Sequence, residues 1–231
     1  MSWQIFSKDL GDLFKSIIIF NRFKNIVEIG VAQATTTNYL CQAAKETGGF
    51  VKGYDLWDVH GLSNQFNAFG TKENCEKYLS SLGHNNFSLI KVNTKTEEFR
   101  DYINKLEETI DFAFIDGCHS YEGIKNDFNI LYPKMSKYSI IAFHDTMRID
   151  GCREFMIDLR TSLNDGTYDL VDFPFGNQDR RVGVSLLVKR SYPVLKLKID
   201  EICGSVSNPD QIYEKENIWY NNEINKSLYG N

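Results

Sequence analysis

The chain has 231 residues, 42% hydrophobic and 25% charged, with only 4 Pro and 16 Gly, which fits one α/β domain with a substantial core and excludes disordered or collagen-like chains. Its formal net charge of -5 and pI near 5.4 argue against a broad electropositive surface for nucleic acid or anionic lipid, leaving a small-molecule or glycan substrate. The cysteines Cys41, Cys75, Cys118, Cys152 and Cys203 are odd in number and form no C-x-x-C pair, so neither a disulfide framework nor a zinc knuckle is indicated and reduced thiols in the cytosol are expected.

At the start of the chain, Lys8, Asp9, Asp12 and Lys15 interrupt the apolar residues, so no signal-peptide core forms, and no stretch reaches transmembrane length. Leu10, Leu13, Phe14 and Ile17 share one helical face, which makes residues 1–24 a helical lid or docking segment. From Asn25 short apolar runs alternate with helical patterns, the signature of βαβ units and a parallel sheet. The strand runs are Ile26 to Ile29, Phe50 to Tyr54, Phe87 to Val92, Phe112 to Ile115 and Ser139 to Phe143. The helices between and after them are Thr37 to Lys45, Lys72 to Leu82, Thr96 to Leu106, Tyr121 to Leu131 and Arg153 to Leu163. Gly48 and Gly49 end the first of these by accepting a left-handed cap. Tyr168 to Phe173 and Val182 to Lys189 then pair as a late antiparallel hairpin. The polar, aperiodic segment 59–70 follows the second strand at the edge where open parallel sheets bind ligands, and reads as a substrate-side loop. His60 and His84 sit in loops without a companion motif and are expected at the surface. Residues 25–190 form the domain proper, and the tail 191–231 carries no readable code.

The chemistry concentrates at strand ends. After the first strand, Glu28-Ile-Gly30-Val-Ala32-Gln-Ala34-Thr-Thr36 makes a tight turn of small residues into a helix, where a ligand can approach the backbone. It keeps one glycine of a dinucleotide-type G-x-G-x-x-G, with Ala32 and Ala34 in the other places, so a pyrophosphate contact is less well provided for. A generic β-to-α turn is the alternative. At the second strand end Asp55 lies about twenty residues past the glycine turn, suited to accept hydrogen bonds from two ribose hydroxyls, or else to cap a helix; Asp58 is a weaker candidate. A third cluster spans Asp116-Gly-Cys118-His119-Ser-Tyr121-Glu122-Gly123 with Asp127, paired with His144-Asp145-Thr146.

The turn from Glu28 to Thr36 resembles motif I of class I S-adenosylmethionine-dependent methyltransferases. The resemblance implies a glycine turn against the methionine part of the cofactor, an ordering role for Glu28, and cofactor contacts from Gly30, Ala34, Thr36 and Asp55. Asn93, Thr94 and Asp116 to Cys118 are then expected to border the adenine. The third cluster resembles a family of small O-methyltransferase-like proteins with I-D-G-x-H-x-Y-E-G and H-D strand ends, related to metal-dependent sugar and macrolide enzymes. Over residues 25–190 it implies a doubly wound, Rossmann-like, mostly parallel seven-stranded sheet closed by the antiparallel hairpin. It also implies a divalent cation on Asp116, His144 and Asp145. Oxygen ligands suit magnesium, whereas an imidazole at His144 suits manganese better and leaves His144 open as ligand or general base. Some relatives carry a catalytic aspartate where this chain has Cys118, so His119 becomes the better base. These readings make the chain a methyltransferase acting on a hydroxyl of a small molecule or sugar, compatible with a homo-oligomer. A non-catalytic cofactor-binding protein of the same fold and a nicotinamide-dependent enzyme are the alternatives.

Overall fold

A computed structural model describes residues 3–57, 70–174 and 182–190, with side chains described from residue 8 onward. Helix α1 (Trp3–Asn21) leads into β1 (Asn25–Ile29), α2 (Thr35–Thr47), β2 (Phe50–Asp55), α3 (Lys72–Ser81) and β3 (Phe87–Lys91). Then follow α4 (Glu97–Asn104), β4 (Ile110–Ile115), α5 (Tyr121–Leu131), β5 (Met135–His144), α6 (Asp150–Arg160), β6 (Tyr168–Phe173) and β7 (Val184–Lys189). The strands form one seven-stranded sheet in the order β3-β2-β1-β4-β5-β7-β6. The first five are parallel, and β7 runs antiparallel to both β5 and β6. This is the expected Rossmann-like sheet with its late hairpin.

The strands read as apolar runs because helices bury both faces of the sheet. Alternation along β4 sends Phe112 and Phe114 to the face shared with α1 and α2, and Ala113 and Ile115 to the face shared with α4, α5 and α6. On the first face Leu10, Phe14 and Ile18 of α1 are fully buried, and Phe14 meets Phe112 and Phe114 edge-on at ring separations of 5.2 and 4.8 Å. The buried stripe is thus Leu10-Phe14-Ile18, with Leu13 and Ile17 at its flanks, so α1 is a packing element of the core. Removing the Phe14 ring would cost about 3 to 5 kcal/mol. A third, smaller core joins α3 and β3 to the turn after β1 through Val31, Ala34, Cys75, Leu79 and Leu89.

Several boundaries differ from the sequence reading. Helix α2 begins at Thr35, directly after a left-handed Ala34, and closes on left-handed Gly48. Strand β5 starts at Met135, where a register shift and a positive φ at Tyr138 divide an outer pairing with Ile110 from the main ladder. Helix α6 begins at Asp150 because the Asp145 carbonyl accepts from Arg148 and Ile149 and winds the chain into it. His84, expected at the surface, is 9% exposed: its Nε2 lies 2.8 Å from Asn38 Oδ1 of α2, a partner 46 residues away. His60, Asp58, the tail 191–231 and nearly all of the 59–70 loop fall outside the described residues. Cys41, Cys75, Cys118 and Cys152 are free thiols. Among the described residues, no helix is long and apolar enough to cross a membrane.

Candidate functional site

All the singled-out strand ends lie along the carboxyl edge of the parallel sheet, where side chains leave the ladder and ligands bind in this architecture. The turn after β1 is held mainly by backbone. Gly30 (φ +90°) donates its N–H to Tyr54 O at 2.9 Å, and a Cβ there would collide with the Asp116 carbonyl. The glycine is therefore required first by the close approach of the β1 and β4 ends. Ala32 and Ala34 are also left-handed, at φ 47° and 60°, a conformation costing a non-glycine residue about 1 to 2 kcal/mol. Tertiary bonds hold Ala32 there: its N–H donates to Asp55 Oδ2 at 2.8 Å, and its carbonyl accepts from the Trp57 indole and the Cys75 thiol, both at 3.2 Å.

Asp55 is thus tied to its own chain, since Oδ1 accepts from Trp57 N at 2.8 Å while Oδ2 holds Ala32. An ionised carboxylate offers about four acceptor sites, so two remain for hydroxyl donors and the residue still fits a ribose. Glu28 is fully buried, and Thr37 Oγ1 donates to its Oε2 at 2.5 Å while Oε1 has no partner among the described residues. Burial pushes its carboxyl well above the ordinary range, against the pull of the Thr37 bond. Thr36 stands in the first turn of α2, but Thr37, one residue later, holds the acid; the sequence offers Thr35, Thr36 and Thr37 without telling which one points inward.

Past β3, Asn93 is exposed and its Oδ1 accepts from Lys95 N at 3.0 Å; the Thr94 carbonyl accepts from Asn126 Nδ2 at 2.9 Å. Beside them Asp127 of α5 is completely buried. Its Oδ1 accepts from Asn126 at 3.2 Å and its Oδ2, without a partner among the described residues, faces Gly117. Burial pushes this carboxyl up to about 6, against hydrogen bonds from Thr94 and Asn126. In sequence Asp127 reads equally as a helix polar group or a substrate contact, and its burial comes from the packing of α5 onto the loop at Gly117.

The ends of β4 and β5 bring Asp116, His119, His144 and Asp145 together. Asp116 Oδ1 accepts from His144 Nδ1 at 2.9 Å and from His119 Nε2 at 3.1 Å. Asp145 Oδ2 lies 3.5 Å from His144 Nδ1 and 3.7 Å from His119 Nδ1. The His144 and Asp145 side chains are 11% and 12% exposed, against 27% for Asp116 and 35% for His119, so the cluster opens to solvent on the His119 side. Burial works against a charged His144, but Asp116 and Asp145 outweigh it and raise the imidazole to about 10. The hydrogen bond to Asp116 raises His119 as well. Asp116 is held below the ordinary carboxylate range: burial opposes its charge, and the two imidazoles prevail. Asp145 has φ 58°, and its Oδ1 is buried without a partner among the described residues. One ligand atom each from Asp116, His144 and Asp145 lies within 4.8 Å of the others, a spread that bonds of about 2.0 to 2.6 Å to one hard cation can close. The donor set and the orphaned Asp145 oxygen fit a divalent ion. Cys118 turns away to Ser120 Oγ at 3.2 Å, and Gly123 leaves it room against α5.

Sheet order, glycine turn and acidic strand ends together define a Rossmann-like protein of the class I methyltransferase type. Residues 27–146 match methyltransferase family 24, described as a methyltransferase domain, and the chain belongs to that family. An uncharacterized protein of Sinorhizobium fredii is 30% identical over 133 residues, 54% of this chain and 13% of that protein. An uncharacterized protein of Acanthamoeba polyphaga mimivirus is 34% identical over 119 residues, 52% of this chain and 50% of that one. These matches thus take in no more than half the length of either relative. Among solved structures, an O-methyltransferase from Bacillus cereus in complex with SAH superposes with TM-score 0.62 at 15% identity, covering 79% of this chain and 81% of that chain. The O-methyltransferase TomG from Streptomyces achromogenes, involved in tomaymycin synthesis and in complex with SAM, gives 0.61 at 13%, covering 79% and 80%. At these identities the likeness is one of fold.

Proposed function

We propose that the chain is an S-adenosylmethionine-dependent methyltransferase that methylates a hydroxyl of a small molecule or sugar with the help of a divalent cation, magnesium or manganese. The observation that carries this reading is the convergence of Asp116, His144 and Asp145 within 4.8 Å beside the glycine turn, in a chain of a methyltransferase family. A bound cation would polarise the acceptor hydroxyl, and the sulfonium cofactor would supply the methyl group. Gly30, Ala34 and Asp55 line the cofactor end, with Glu28 buried beneath it. His119, the most exposed member of the cluster, is the base: Asp116 accepts from its Nε2 and fixes its orientation, which leaves Nδ1 to take the proton, with the Asp145 carboxylate at 3.7 Å stabilising the imidazolium. His144 is assigned as a ligand, because it is the more buried imidazole and lies between both carboxylates.

Calorimetry with adenosylhomocysteine and manganese, followed by labelled-methyl transfer to a panel of hydroxylated acceptors, tests this. The expected result is binding of both and turnover abolished by chelator. His119→Ala should lower the rate by roughly 10²- to 10⁴-fold with manganese retained, and His144→Ala should weaken manganese. No adenosylhomocysteine binding would overturn the reading. One observation favours a cation-free variant: Asp116 Oδ1 accepts from both imidazoles, so the cluster closes on itself. Full turnover in chelator would select it.

A further inference from the structure

The Ala32 backbone is gripped on both sides, and on its carbonyl side the grip comes from two residues that no cofactor role explains, Trp57 and Cys75. Its N–H is held by Asp55, and its carbonyl receives the Trp57 indole N–H and the Cys75 thiol, each at 3.2 Å. Trp57 is itself left-handed at φ 44°, and its N–H is anchored on the same Asp55 carboxylate. Its ring packs on the small core of Val31, Ala34, Cys75, Leu79 and Leu89. A closed ring of contacts therefore runs from Asp55 to Ala32, from Ala32 to Trp57, and back to Asp55. It joins the two strand ends between which the cofactor is proposed to lie.

We propose that Trp57 is a positioning residue for the cofactor: its indole N–H clamps the Ala32 carbonyl and holds the turn after β1 in its left-handed, binding-ready shape. The physical need is specific. Ala32 and Ala34 occupy a conformation that glycine would adopt freely and alanine resists, and such strain persists only where surrounding contacts over-determine it. Trp57 and Cys75 are the carbonyl-side contacts, and of the two the indole is the stronger donor. The clamp also ties Asp55 to the turn, so loosening it would let two cofactor-contacting groups drift together.

The inference rests on the proposed cofactor site, and the experiment separates the two. Trp57→Phe keeps an aromatic ring on the small core and removes only the N–H. In the full-length protein, adenosylhomocysteine affinity is measured by calorimetry, and exchange of the Ala32 amide by NMR. The expected outcome is about a 3- to 10-fold weaker affinity, in keeping with one lost hydrogen bond, with faster Ala32 exchange and an unchanged acceptor KM. Protein in which wild type binds and Trp57→Phe binds equally well overturns the clamp and leaves the cofactor site standing. Wild type that fails to bind overturns the site, and the clamp's role with it. A loss of affinity with Ala32 exchange unaltered would also overturn the proposal, because the ring and not the N–H would then be responsible.

Discussion

The turn after β1 and the loops after β4 and β5 share one edge of the sheet and are built in opposite ways. In the turn, backbone groups do most of the work: Gly30, Ala32 and Ala34 sit at positive φ, and Asp55, Trp57 and Cys75 supply the bonds that keep Ala32 there. In the other region two carboxylates and two imidazoles crowd together. His144 is raised to about 10, and an Asp145 oxygen is buried without a partner among the described residues. The first region is a backbone cradle held in shape by hydrogen bonds to Asp55, Trp57 and Cys75. The second is a charge cluster whose state depends on protons and, on the reading proposed above, on a cation. On the proposed reading, cofactor binding and chemistry are separated along the sheet edge, and each half should break without the other.

The largest effect should come from the charge cluster. Asp145→Asn keeps a residue that tolerates the left-handed backbone and deletes one carboxylate. Manganese affinity should fall by more than about 100-fold, roughly 3 kcal/mol, with adenosylhomocysteine affinity unchanged within a factor of about two. A parallel loss of both ligands in calorimetry would break the separation. An intermediate effect should arise at Asp127, which lies beneath the loop that carries Asp116. Its carboxyl is raised from 3.8 to about 6, so between these values the folded chain keeps a proton that the unfolded chain has released. Stability therefore falls as pH rises through that window, by about 2 to 3 kcal/mol at about 1.4 kcal/mol per unit, and levels off above it. In Asp127→Asn the share of the fall that belongs to Asp127 should vanish, leaving that of Glu28, whose carboxyl burial also raises. Urea unfolding at pH 4, 5, 6 and 7 measures this, and identical profiles for both proteins would show that another group titrates. The smallest effect belongs to the cradle. Thr37→Val removes the donor to the buried Glu28 and should cost about 1 to 2 kcal/mol of stability in urea unfolding. Glu28→Gln should cost less, because burial already favours the uncharged acid.

Much of this arrangement was legible in the sequence. Apolar runs of strand length between helical patterns give the sheet and its hairpin, because a strand buried on both faces must be apolar throughout. Acids and histidines at the ends of such runs are placed at the carboxyl edge by topology, and the resemblance to the methyltransferase family singled out Asp116, His144 and Asp145 among them. Local signals also located Gly48 as a helix cap. Other features depended on partners remote in sequence. His84 was read as exposed because its partner Asn38 lies on another helix, and Thr37 was passed over because only the rotation of α2 decides which threonine meets Glu28. The clamp on Ala32 spans 25 residues to Trp57 and 43 to Cys75, and the burial of Asp127 follows from how α5 settles on the loop at Gly117. Periodicity and strand-end chemistry are one-dimensional properties and were determined by the sequence itself. Which oxygen bonds which nitrogen, and which buried acid keeps its proton, are set by desolvation and distances of a few ångströms between segments far apart along the chain, and only the tertiary structure decided them.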